Sequence, residues 1–168
     1  MEVKEETFKM ALDKLNAYLE LYQHRKTQER EEILRAVCSI DTAFSIDELA
    51  HFMQEQSKFL VSRATLFNTL EIFEKVCLVI KHGMSREVRY EFTPTRKPLV
   101  YFVCDSCGLI HKFNRTEVTD FLDGVRSYQF TVRQPVLYLH GLCKRCERAM
   151  KRKERQLRSI AKTKLKSK

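Results

Sequence analysis

Apolar residues near the start fall at Phe8, Ala11, Leu12, Leu15, Leu19 and Tyr22, the three-and-four spacing of one helical face across residues 3–22. A second face opens near Thr27 with Ile33, Leu34 and Val37. Ser45-Ile-Asp-Glu48 is a capping box, in which the serine oxygen takes an orphan amide and the glutamate reaches back to the cap. It predicts a third helix with Leu49, Phe52 and Met53 inward. Ser62 caps a fourth, running to about Val76, with Leu66, Leu70 and Phe73 inward. Its other side offers Arg63, Asn68 and, obliquely, Phe67. Two β-rich runs follow, Leu78–His82 and Val88–Phe92, around the turn Gly83-Met-Ser-Arg86, and read as a hairpin. Three helices and then a hairpin describe a winged helix-turn-helix.

Thr93–Pro98 is the expected hinge, because both prolines interrupt regular structure. Beyond it, Leu99–Val103 and Leu109–Phe113 read as paired strands, Glu117–Tyr128 as a helix and Thr131–His140 as another strand. The expected organisation is a DNA-binding domain over 1–93, a hinge at 94–98, a second α+β domain over 99–146, and a basic tail over 147–168. The tail has helix-forming composition without a sustained apolar face. It reads as a solvated helical extension fraying into disorder.

Composition narrows the class. At 43% hydrophobic and 32% charged residues the chain is ordinary for a soluble globular protein. No apolar run approaches the roughly 20 residues a membrane helix needs, and the acidic start lacks the basic flank of a signal peptide. A cytoplasmic protein without a membrane partner is expected. The net charge of +9 is unevenly placed, since residues 147–168 hold ten Lys/Arg against two Asp/Glu and the first 146 residues come to +1. The basic pI therefore belongs to the tail, and by itself says little about nucleic acid.

In reducing surroundings, paired cysteines more often hold metal or do redox chemistry than form structural disulfides. Two Cys-x-x-Cys pairs, Cys104/Cys107 and Cys143/Cys146, have 35 residues between them. A tight turn lets both thiolates of a pair face one ion, with Gly108 helping the chain fold back. Two pairs then complete the tetrahedral four-sulfur shell of a structural zinc, one per subunit. Lys144 and Arg145 partly offset its negative charge. Redox-active dithiols, buried free thiols and an iron–sulfur cluster are the other readings of the same residues. Cys38 and Cys77 stand singly in apolar stretches and are read as core.

A recognition helix enters the major groove with its N-terminal residues toward the bases. Here those are Ser62, Arg63, Ala64, Thr65, Phe67 and Asn68. Arg63 suits guanine or a phosphate, Asn68 suits adenine, and an exposed Phe67 would cover a thymine methyl. Equally, Phe67 could complete the helical core and Asn68 be merely solvated. Lys81, Arg86 and Arg89 on the hairpin and Arg25 and Lys26 in the first loop suit phosphates. Such cations are also common as plain surface.

From about Arg25 to Cys146 the chain resembles the ferric uptake regulator (Fur) family of bacterial transcription factors. The resemblance is carried by Arg25-Lys-Thr-Gln-Glu-Arg30 with Ile33-Leu34, Ser62-Arg-Ala-Thr-Leu-Phe-Asn-Thr-Leu70, Arg89-Tyr-Glu91, Val103-Cys-Asp-Ser-Cys-Gly108 and Leu137-Tyr-Leu-His-Gly-Leu-Cys143. It implies a homodimer with a winged-helix reader of double-stranded DNA, a C-terminal dimerisation domain with a four-cysteine zinc, and repression of metal-uptake or stress genes.

The departures from the family pattern are informative. The family's histidine-rich segment before the first cysteine pair is Arg96–Val103 here, without His, Asp or Glu. Other usual regulatory ligands correspond to Thr42-Ala43-Phe44, Lys112 and about Pro135, and only Glu91 remains. One carboxylate cannot select a metal, so the regulatory site is expected to be degenerate, unless His82, His111 or His140 build one elsewhere. Phe67-Asn68 stands where the family usually has Tyr-Arg, so the operator is expected to differ as well. The expected function is a dimeric DNA-binding repressor, with a zinc-containing RNA-binding or ribosome-associated protein as the alternative. No open metal site, phosphate-cradling loop or nucleophile–base pair points to an enzyme. The cationic tail would add sequence-independent, salt-sensitive affinity for nucleic acid, or simply keep the chain soluble.

Overall fold

A computed structural model describes residues 5–56, 59–83, 88–95, 97–113 and 115–166, the last eight as backbone only. The chain divides into two compact units, one formed by residues 1–97 with 126–135, the other by 98–125 with 136–168. No helix among the described residues is long and apolar enough to cross a membrane.

The first unit contains α1 (Glu5–Leu21), α2 (Gln28–Ser39), α3 (Ile46–Gln56), α4 (Arg63–Lys75), β1 (Val79–His82) and β2 (Arg89–Phe92). Local chemistry sets where the helices start. Thr27 caps α2 through Arg30 N, and the Ser62 hydroxyl takes Thr65 N at 3.1 Å at the head of α4. The Ser45 box closes in both directions: Glu48 N donates to Ser45 Oγ at 3.2 Å, and Ser45 N to Glu48 Oε2 at 2.7 Å. That amide, with the Arg89 guanidinium behind it, holds the Glu48 carboxyl below its usual range. α4 ends where Cys77 turns left-handed at φ 55°, its N–H on Glu74 O and its carbonyl accepting from Lys14 Nζ. Cys77 is thus a half-buried helix stop and not a core thiol. Cys38 does pack against the core, and burial pushes its thiol up to about 12.

One face of each helix builds the core, from Phe8, Ala11, Leu15 and Leu19 of α1 to Leu66, Leu70 and Phe73 of α4. Tyr22, just past α1, stays exposed, its ring tilted against that of Tyr18. β1 and β2 pair antiparallel, with Ile80 opposite Glu91 and Lys81 opposite Tyr90. Phe44, ahead of α3, bridges Tyr90 through backbone bonds of 2.8 and 2.7 Å, tying the hairpin to the helices as a short third strand. This is the winged helix-turn-helix expected from the hydrophobic pattern. Its turn residues 84–87, Arg86 among them, lie outside the described residues.

The second unit contains β3 (Leu99–Cys104), β4 (Ile110–Phe113), α5 (Thr116–Asp123), β5 (Val136–Gly141) and α6 (Lys144–Lys166). β3 is the central strand, antiparallel to β4 and parallel to β5. Two elements are shorter than expected. α5 stops at Asp123 instead of Tyr128, because Val125 and Tyr128 find no apolar surface to cover and stay exposed. β5 starts at Val136 and not Thr131, pairing first with Leu99. Pro98 and Pro135 precede these residues, and neither has the N–H needed to extend the ladder. α6 is longer than a fraying extension, continuing through Lys166.

Candidate metal centre and nucleic-acid interface

β3 delivers Cys104 to a turn, and Gly108 closes that turn in the left-handed region at φ 73°, donating its N–H to Cys104 O at 2.8 Å. Any other residue would be strained there. The turn brings Cys107 back beside Cys104. Because β5 lies parallel to β3, its end arrives at the same level, with Asp105 N on Gly141 O at 2.8 Å. The chain then turns into α6, placing Cys143 just before the helix and Cys146 in its first turn, where Glu147 N bonds Cys143 O. The four sulfurs lie within 4.8 Å of one another and form no disulfide.

The Cys107–Cys143 sulfur distance is 3.8 Å. A tetrahedron with zinc–sulfur bonds of about 2.3 Å has edges of about 3.8 Å, so the spacing suits a zinc ion. The thiol chemistry agrees. Cys143 N donates to Cys104 Sγ at 3.3 Å, and this amide leads several that lower the Cys104 thiol to about 6. Ser106 pulls the Cys146 thiol down, but the Cys143 and Cys107 sulfurs outweigh it and raise it to about 11. Amide donors thus favour a thiolate in this group while the crowded sulfurs oppose a second one. A cation removes that conflict. Lys144 does not neutralise the sulfurs directly, since its ammonium turns to Glu147 at 3.2 Å.

Among the described residues these cysteines are the one group of three or more His, Cys, Asp or Glu donors gathered closely enough for an ion. Glu91, the remaining family-type ligand, has His82 Nε2 at 3.2 Å from its Oε2. That histidine is fully buried on β1, on the same side as Ile80, which sits opposite Glu91 in the register. Sequence reasoning missed this pair, although strand alternation placed both side chains on one face. His140 instead bonds Asp105 at 2.9 Å, and His111 is exposed.

In the first unit α4 turns Leu66, Thr69, Leu70 and Phe73 inward. Arg63, Phe67 and Asn68 face solvent, with Phe67 48% exposed, so Phe67 is no part of the core. Ser62 and Thr65 are occupied at the cap, their hydroxyl oxygens 2.9 Å apart. Arg63 pairs with Asp47 of α3, both side chains well exposed. Such pairs are worth little and exchange readily with another anion. Lys81 points outward on β1, while Arg25 and Lys26 are exposed before α2, Lys26 against Glu20. Arg89 is different: its Nη1 donates to Ala43 O at 2.7 Å and its Nη2 to Glu48 at 2.9 Å. It clamps the hairpin to the start of α3, a role that its position in the sequence did not reveal.

The profile of the ferric uptake regulator family matches residues 22–140. The peroxide-responsive repressor PerR of Staphylococcus aureus is 25% identical over 151 residues, spanning 88% of this chain and 99% of its own. Among solved structures, the fold resembles the Helicobacter pylori ferric uptake regulator (TM-score 0.62, 22% identity, 83% of this chain and 93% of that one). It also resembles the Pseudomonas aeruginosa ferric uptake regulator with manganese (TM-score 0.62, 23% identity, 77% and 97%). A zinc uptake regulator complexed with zinc and DNA aligns at a TM-score of 0.51 and 22% identity, over 89% and 99%.

Proposed function

The chain belongs to the ferric uptake regulator family, and on that premise we propose a sequence-specific repressor that binds double-stranded DNA as a cytoplasmic homodimer. Each subunit holds one structural zinc on Cys104, Cys107, Cys143 and Cys146, and the metal-sensing site is degenerate. The observation that carries this reading is the outer face of α4, where Arg63, Phe67 and Asn68 stand free of the core on the helix that a winged helix lays in the major groove. Phosphate contacts fall to Arg25, Lys26 and Lys81, with Arg86 on the hairpin turn. Arg89 reaches DNA only by leaving Glu48. The same winged arrangement favours a duplex over structured RNA, and the closed four-sulfur shell favours a regulator over an enzyme.

Selection of bound duplexes from a random pool tests this directly. A preferred half-site is expected, and recovery without any sequence preference would overturn the reading. Arg63→Ala is expected to lose about 1–3 kcal/mol of discrimination at one base position. The same discrimination between matched and mismatched duplexes by both proteins would remove Arg63 from the readout.

The dimer and the metal content have their own support. In the second unit the exposed side chains of Phe102, Leu109, Leu139 and Leu142 line an open, mainly apolar hollow of about 540 Å³, a surface suited to a partner. β5 has a strand on one side only among the described strands, which suits pairing with the same strand of a second copy. Glu91 and His82 together supply two donors, too few for a selective site. Native mass measurement is expected to give two chains with two zinc ions. A second tightly held iron, manganese or zinc per chain, required for DNA binding, would contradict the degenerate site.

A further inference from the structure

The sequence gives α6 twelve basic residues in all with the chain end, and the structure shows how the described ones are arranged. Lys144, Arg148, Lys151, Arg155 and Arg158 recur every three or four residues, which stacks them in one row along the helix. Arg145 and Arg152 flank that row, and all seven are exposed. Met150 and Leu157, seven residues apart, lie on the opposite side and are exposed too. The amphipathicity of α6 thus comes from grouped cations more than from an apolar stripe. Glu147 takes both Lys144 and Lys151, at 3.2 and 2.6 Å. Among the described residues no carboxylate pairs with Arg148, Arg152, Arg155 or Arg158. At 1.5 Å per residue the helix is about 34 Å long.

We propose that the cationic face of α6 binds the phosphate backbone of nucleic acid without reading its sequence. Charge complementarity selects this occupant. A second copy would set one row of cations against another. An anionic membrane would need a broader apolar face, and α6 has no aromatic residue and carries Lys153 among its few apolar positions. Each strand of a duplex places a phosphate about every 3.4 Å along its axis, so a row of cations on a helix of this length meets several of them, each contact releasing condensed counterions. Phosphate contacts carry no base information. This binding therefore stands apart from the sequence-specific reading of α4.

The test compares the full chain with a triple variant, Arg148→Gln, Arg155→Gln and Arg158→Gln, on an arbitrary duplex and on the duplex the chain selects. The logarithm of affinity against that of salt is expected to become shallower by about 0.9 per cation, near 2.7 in all. Raising salt from 50 to 200 mM would then cost the parent roughly 40-fold more affinity than the variant, on both duplexes, with their ratio unchanged. A triple Arg→Lys variant keeps the charge and is expected to keep the parent slope. An unchanged slope in the glutamine variant overturns the proposal, as does equal loss in the lysine variant. So does loss of binding to phosphatidylserine vesicles with the DNA slope unchanged, which would assign the face to lipid. A parent without sequence preference whose slope still falls on substitution supports this proposal while overturning the operator-binding reading.

Discussion

Serine in place of Cys104 is expected to abolish the zinc binding we propose for the four cysteines and unfold the second unit while leaving the winged helix intact. The reason is the size of that unit's interior. Among the described residues its buried apolar side chains are Val100, Tyr101 and Val103, with Cys104 itself, all on β3. α5 buries no residue, and β5 has no fully buried position. So small a core needs a staple. A four-thiolate zinc supplies on the order of 10 kcal/mol in small domains. Limited proteolysis should cut the Cys104→Ser chain beyond residue 98 and spare residues up to about 92. Treating the unsubstituted protein with a strong chelator should give the same pattern. A substituted chain that resists protease and retains one zinc would show that the sheet holds itself together.

The second large effect belongs to the other unit. Phe73→Ala is expected to cost about 3–5 kcal/mol. Phe73 is fully buried at the inner face of α4, in the same cluster as residues from α1, α2, α3 and β1. Removing the ring leaves a cavity where helices and hairpin meet, and cannot be repaired by moving a single neighbour. Set against a typical total of 5–15 kcal/mol, the loss would shift denaturant unfolding far to lower concentration. It would also loosen the seat of the recognition helix, so binding to every duplex should weaken, unlike the position-specific loss expected at Arg63. A shift worth under 1 kcal/mol in urea unfolding, read by helical circular dichroism, would argue against this packing.

What was legible in the sequence was written in short-range chemistry. Thr27, Ser45 and Ser62 mark helix starts because a side-chain oxygen satisfies an amide three residues on, a fact local to four residues. The two cysteine pairs were legible for a similar reason, since each pair closes through its own turn. What was hidden depended on partners distant in the chain. That β5 runs parallel to β3, and so carries Cys143 to Cys104, depends on pairing with a strand more than thirty residues upstream and not on any residue in either strand alone. Arg89 looked like a surface cation because its acceptors, Ala43 and Glu48, lie more than forty residues upstream. His82 looked incidental until the hairpin register placed it diagonally across from Glu91. The exposure of Phe67 was undecided for a different reason: its helix position is oblique, and only the packing of α3 and β1 shows which side of α4 is covered.

The placement of Cys146 within the first turn of α6 has a mechanical consequence. The thiolates at Cys143 and Cys146 make the base of a rod of 23 residues, so its pointing direction is set at a single pivot. A tilt of about 10° at that pivot carries the far end of a helix about 34 Å long through roughly 6 Å. Small rearrangements of the sulfur cage are therefore magnified along the rod, and alterations made at its foot are felt most strongly at its tip.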